Sequence, residues 1–205
     1  MEFLTAVLLA VALSIDGFGV GLSYGIRKIK VSFFSIILIV FCSVLALTFS
    51  LFTGQLVAGI IPGHLAGALG GTILVLIGLW QLAEGLKKYK DNPVLLTIKL
   101  KALGLVLQVI REPENADIDK SGDINYREAL LLGVALNIDV MGVGFGAAMA
   151  GYSFLLIPFV TTALFVALYS GLLIGKKFTA GFLGKKVYIL PGILLILLGL
   201  LNYIR

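Results

Sequence analysis

Apolar residues run along this chain almost without interruption, and polar residues fall in short clusters between the runs. Six apolar runs stand out, at about 3–26, 33–58, 65–86, 129–150, 154–175 and 187–204. Each is close to the ~20 residues an α-helix needs to cross a bilayer core. A helix of that length also satisfies its own backbone where water cannot. The pattern predicts an all-α polytopic membrane protein with six transmembrane helices.

The basic residues then orient the helices. The first connection carries Arg27, Lys28 and Lys30, and the third carries Lys87, Lys88, Lys90, Lys99, Lys101, Arg111, Lys120 and Arg127. The fifth carries Lys176, Lys177, Lys185 and Lys186, whereas the second ("IIPGH") and fourth ("AGYS") carry no Lys or Arg. By the positive-inside rule the odd connections are cytoplasmic, and both termini of this multi-pass cell-membrane protein lie outside. Composition agrees: of 205 residues, 60% are hydrophobic and 13% charged, where a soluble domain carries about 25% charged residues. The apolar start has no basic n-region and no convincing cleavage site, so it reads as a first span rather than a removable signal. The net charge of +5 is spread over short connections, which excludes a nucleic-acid face. A single cysteine, Cys42, excludes an internal disulfide.

The chain repeats itself. "VALSIDGFGVGL" (11–22) aligns with "VALNIDVMGVGF" (134–145) at eight of twelve positions. Further on, "LGGTILVLIGLW" (69–80) resembles "LPGILLILLGLL" (190–201), and "LFTG" (51–54) resembles "LYSG" (168–171). The predicted organisation is a three-helix repeat over 1–88, a cytoplasmic connection over 89–127 and a second three-helix repeat over 128–205. Three spans are an odd number, so the second copy runs inverted, an arrangement common in secondary transporters.

Each copy places one carboxylate, Asp16 or Asp139, near the middle of its first span. A central Asp costs about 2.5–3.5 kcal/mol on insertion scales. No Lys, Arg or His occupies the middle of any predicted span. Either the two acids are protonated and hydrogen-bonded as packing groups, or they neutralise a cation that comes and goes. Duplication at equivalent positions favours the cation, and carboxylate oxygens suit Ca²⁺, Mg²⁺ or Mn²⁺. Ser14 and Asn137, two residues earlier, could add oxygens, but on an unbroken helix they point about 200° away. Met141 offers a thioether that would favour Mn²⁺, or it is apolar filler. Gly19, Gly21, Gly142 and Gly144 serve either to unwind the helix and bare carbonyls or to let helices pack closely. His64 reads as a surface residue of an outside turn, and Gln55, Gln81 and Glu84 as interfacial.

"DIDKSGDINYRE" (117–128) fits the EF-hand loop template. Asp117, Asp119 and Ser121 fill positions 1, 3 and 5, and Gly122 takes the sharp turn at 6. Asp123 offers its carbonyl at 7, Ile124 is the apolar residue at 8, and Glu128 is the bidentate ligand at 12. The loop is a candidate Ca²⁺ site; the alternative is a solvated acidic loop whose Glu128 caps the fourth span. Pro113 is out of keeping with the usual entering helix. The segment 94–112 reads equally as strand, interfacial helix or lid.

The doubled "IDxxGVG" segments, the six-span plan and the basic cytoplasmic connections resemble the MntP/YtaF family of the LysE transporter superfamily. The resemblance covers essentially the whole chain, and "ADIDKSGDINYREALLLGVALNID" is more similar to the YtaF branch of sporulation membrane proteins. MntP proteins are manganese exporters that need two intramembrane aspartates, which the resemblance carries onto Asp16 and Asp139. The implied function is alternating-access export of Mn²⁺ or another divalent cation, modulated by Ca²⁺ at residues 117–128. The partners are the metal ion and the lipid bilayer. The rivals are a Ca²⁺-sensing sporulation membrane protein that moves nothing and an exporter of small molecules. No nucleophile–base constellation or nucleotide loop is present, so an enzyme is not expected.

Overall fold

The computed structural model describes residues 2–90, 116–119, 121–177, 193, 195–197 and 200, with the side chains of 2, 3 and 84–90 outside that description. The helices are α1 (Glu2–Ile26), α2 (Phe33–Ile60), α3 (Gly63–Lys90), α4 (Tyr126–Met149) and α5 (Leu156–Lys177). Two short strands, β1 (Lys30–Val31) and β2 (Asp123–Ile124), complete the described elements. Five helical segments are long and apolar enough to cross a membrane, the shortest being Gly63–Ala83. Of the sixth expected span, residues 193, 195–197 and 200 are helical, and Leu195 is buried in the core. The rest of that span, Lys185, Lys186, the 94–112 segment and Pro113 fall outside the described residues.

Helix ends follow from local chemistry. α1 stops at a Schellman turn: the Ile29 N–H donates to the Tyr24 carbonyl and the Lys28 N–H to the Gly25 carbonyl. Lys28 holds the left-handed conformation, φ 59°, that glycine usually supplies there. α4 ends the same way, with Gly151 at φ 91° and the Tyr152 N–H on the Ala147 carbonyl. Ser32 caps α2, its side chain accepting from the Ser35 N–H at 3.1 Å.

Packing crosses the chain's halves. α1 lies along α5, and α2 along α4. Within α1, Gly17 faces Leu164, Gly21 faces Leu168 and Gly25 faces Gly175, so α1 and α5 run in parallel. Gly133 meets Cys42 and Gly54 meets Ala148, so α2 and α4 are parallel as well. Apolar burial gains little inside lipid; close backbone approach at small residues holds such pairs together. The bulky residues turn outward instead. Phe34, Ile37, Phe41, Leu45, Phe49 and Phe52 form an exposed helical stripe along α2.

β1 pairs in parallel with β2, Lys30 opposite Asp123 and Val31 opposite Ile124. The Ser35 hydroxyl also donates to the Ile124 carbonyl at 2.9 Å. The first connection and the 117–128 loop therefore meet at the same end of the bundle.

Candidate functional site

Asp16 and Asp139 come together. Their carboxyl groups lie within hydrogen-bonding reach of each other, between α1 and α4. Both are half-buried among the helices. Two carboxylates so placed repel unless a proton or a cation lies between them. The Val140 N–H donates to Asp139 Oδ1 at 2.8 Å, which fixes one oxygen of that carboxylate.

A third group joins them. The Gln81 side chain reaches from α3 and donates from Nε2 to Asp139 Oδ2 at 3.4 Å. The Gln81 Oε1 is buried and has no hydrogen-bond partner. Residue spacing explains the meeting. α3 runs antiparallel to α4, with Gly70 against Gly146 and Ala150, Ile73 against Gly146, and Ile77 against Gly142. One turn onward from Ile77 and Gly142 stand Gln81 and Asp139. Gly142 matters because a Cβ there would lie 3.1 Å from Ile77 Cδ1.

From the sequence alone Gln81 reads as interfacial, because it stands near the end of the expected third span. A signal was present: Gln81 directly follows the 69–80 match, and Asn202, another amide, directly follows its partner 190–201.

The remaining candidates are arranged differently. Ser14 is buried and donates to the Val11 carbonyl of its own helix at 2.9 Å. Asn137 is buried and donates to the Gly133 carbonyl, leaving its Oδ1 without a partner. Met141 is 40% exposed, on the face that carries Leu130, Val134 and Ile138; two residues from Asp139 on an unbroken helix, its side chain leaves about 200° away from that carboxylate. Its backbone carbonyl accepts from the Ser50 hydroxyl of α2. α1 and α4 are unbroken through Gly19, Gly21, Gly142 and Gly144. Gly21 packs on the α5 backbone, and Gly144 on Leu47 and Ser50 of α2. Gly21, Gly142 and Gly144 stand at close helix contacts, and the helices are intact through them. His64 is exposed in the turn that starts α3.

The 117–128 loop draws three of its acidic side chains together. Oxygens of Asp117, Asp119 and Glu128 lie within 4.8 Å of one another. Opposed ligands of one Ca²⁺, at about 2.4 Å each, stand about that far apart. Gly122 takes the turn at φ 77°. Asp117 accepts from the N–H groups of Ser121 and Gly122, both at 3.0 Å. The Ser121 hydroxyl donates to the Asp123 carbonyl at 3.0 Å. Hydrogen bonds from Ser121 hold the Asp119 carboxyl below the usual carboxylate range. Glu128 does two things at once. Its Oε2 accepts from the Asn125 N–H at 3.1 Å and completes the α4 capping box, while Oε1 accepts from the Ile118 N–H at 2.8 Å.

Comparison with known proteins places these features in a family. The family model described as "Putative manganese efflux pump" matches residues 1–82 and 94–201. The chain is 42% identical to the "Probable sporulation protein YtaF" of Bacillus subtilis, over 98% of this chain and 99% of that protein. It is 31% identical to the "Putative manganese efflux pump MntP" of Methanosphaera stadtmanae, over 96% of each chain. A protein of the same name from Methanobrevibacter smithii is 28% identical over 97% of this chain and 95% of its own length. No solved structure matches.

Proposed function

The chain belongs to the Mntp family of membrane transporters, and we propose that it exports a divalent cation, Mn²⁺ above others, through the Asp16–Asp139 pair. The family is not one of enzymes. One observation carries the reading: two carboxylates from different helices meet inside the apolar bundle, with no Lys, Arg or His at mid-span in either helix. Two negative charges balance one 2+ ion, and each aspartate is supplied by a different packed pair. The oxygens there suit Mn²⁺, Mg²⁺ and Ca²⁺ alike; the naming of relatives as manganese pumps is what favours Mn²⁺.

Two inverted halves, 1–88 and 128–205, are supported by matched ends and exchanged partners. The Schellman residues Lys28 and Gly151 sit at the same offset as Asp16 and Asp139, and α1 and α4 each pack on the other half's second helix. The exchange suggests which bodies move. α1 with α5 forms one parallel pair and α2 with α4 another, while α1 and α4 touch little. Rocking of one pair against the other opens the site to alternate sides. Both termini lie outside in this reading, because the basic first and third connections share one end of the bundle.

The 117–128 loop gives Ca²⁺ a place to act on this motion. Through Ser35 and Glu128 it holds α2 and α4 together at the cytoplasmic end, and through β1 it pairs with the connection that leads back to α1. Glu128→Gln weakens Ca²⁺ binding and removes the Ca²⁺ dependence of transport, with a shift in apparent Mn²⁺ affinity of roughly 5–150-fold. The likeness to a protein named for sporulation supports a second reading, a sporulation membrane protein; in that reading the 117–128 loop senses Ca²⁺ and nothing is transported. Asp16→Asn and Asp139→Asn, in cells lacking other exporters, decide between them. Loss of manganese tolerance with normal membrane insertion supports export, and unchanged Mn²⁺ content in wild-type and variant cells supports the sensor.

A further inference from the structure

We propose that Gln81 is a third ligand of the transported cation, its side-chain carbonyl binding the ion that Asp16 and Asp139 hold; this rests on the reading of that pair as the transport site. The amide touches Asp139 but is only half used. Its Nε2 donates to Asp139 Oδ2 at 3.4 Å, and its Oε1 is buried with no partner. A buried amide oxygen left unbonded is costly, and each such group in a native structure calls for an explanation. A cation between the carboxylates supplies one.

The two ends of a glutamine amide are nearly equal in size, so a half turn about its terminal torsion exchanges oxygen for nitrogen. With the site free of metal, the N–H end bonds the Asp139 carboxylate. With metal bound, Asp139 turns its oxygens to the ion and the Gln81 carbonyl joins them. Gln carbonyls are ordinary ligands of hard divalent cations. A neutral third oxygen also suits a transporter. The two aspartates already balance a 2+ ion, and a third carboxylate would hold it more tightly than release allows. The Ile77–Gly142 contact one turn away keeps α3 close enough for the amide to reach.

Mn²⁺ binding to the purified full-length protein in detergent, followed by the electron paramagnetic resonance of free Mn²⁺, tests this. The parent carries Glu128→Gln so that the 117–128 loop does not contribute. Gln81→Leu is expected to weaken Mn²⁺ binding by about 10–100-fold. Gln81→Glu, which keeps an oxygen and loses the N–H donor, is expected to bind at least as tightly as the parent. Gln81→Leu within twofold of the parent overturns the proposal. So does a Gln81→Glu variant as weak as Gln81→Leu, because the amide would then act only by donating to Asp139. Asp16→Asn and Asp139→Asn separate the two levels. Parent-like binding in both removes the transport site itself, whereas weak binding in both beside a parent-like Gln81→Leu removes only the role of Gln81.

Discussion

A carboxylate in the middle of a bilayer costs about 2.5–3.5 kcal/mol, and this chain sets two of them face to face. Substituting either by its isosteric amide removes one charge from a site that must balance two. Either change is therefore expected to lower manganese export at least 100-fold with little loss of folded protein, as read by Mn²⁺ efflux from loaded cells. Asp119 carries the pH prediction. Its depressed carboxyl contributes stability above the unfolded value of about 3.9 and loses it as pH falls through the lower folded value. Asp119 therefore stays charged from pH 7 to pH 5, and Ser121→Ala moves its titration upward, measurable by carbon NMR of labelled aspartate. That Asp16 and Asp139 stand out, and that Asp117, Asp119 and Glu128 converge, was legible in the sequence, because a charge in an apolar run, or acids at fixed spacing around a glycine, is rare by chance. Gln81 was not, because a neutral amide near a span end looks interfacial until the depth of α3 against α4 is known. Met141 shows the converse, a donor of suitable chemistry on a face turned away.

Helix existence was equally legible. The apolar runs at 33–58 and 154–175 correspond to α2 and α5 within two residues at each end. α3 continues to Lys90, past the apolar run, because helix hydrogen bonds do not stop where lipid does. Which helix packs on which was not legible, since apolar sequences carry no partner label and only small residues mark a close face. That close face yields a test. A Cβ on Gly21 would collide with the Leu168 backbone, and one on Gly171 would come within 2.5 Å of the Phe18 carbonyl oxygen. Gly21→Ala and Gly171→Ala should each cost about 1–3 kcal/mol by overpacking, seen as lower thermal stability in detergent. Gly59, where an added methyl would meet nothing within 4 Å, should accept Ala with no loss. The two-residue β1–β2 pair had no sequence signal; it exists because the loop and the first connection share one end.

In the assembled bundle, two parallel pairs, α1 with α5 and α2 with α4, carry one aspartate each, and the loop at one end pairs with the connection between α1 and α2. The proposed topology predicts accessibility. In a Cys42→Ser background, a cysteine at Lys177 should resist impermeant thiol reagents in intact cells and one at His64 should react. Labelling at Lys177 would invert the bundle and place the loop outside. The repeat itself was visible in the aspartate segments, while its proposed consequence, that the moving bodies cut across the halves, needed the packing. The proposed export rests on a cation held between Asp16 and Asp139. Diffraction at the manganese absorption edge, from crystals grown with Mn²⁺, locates the metal without assumption. The account predicts an anomalous peak between the two carboxylates that disappears in Asp139→Asn. Manganese bound to the 117–128 loop with no peak between Asp16 and Asp139 would contradict it.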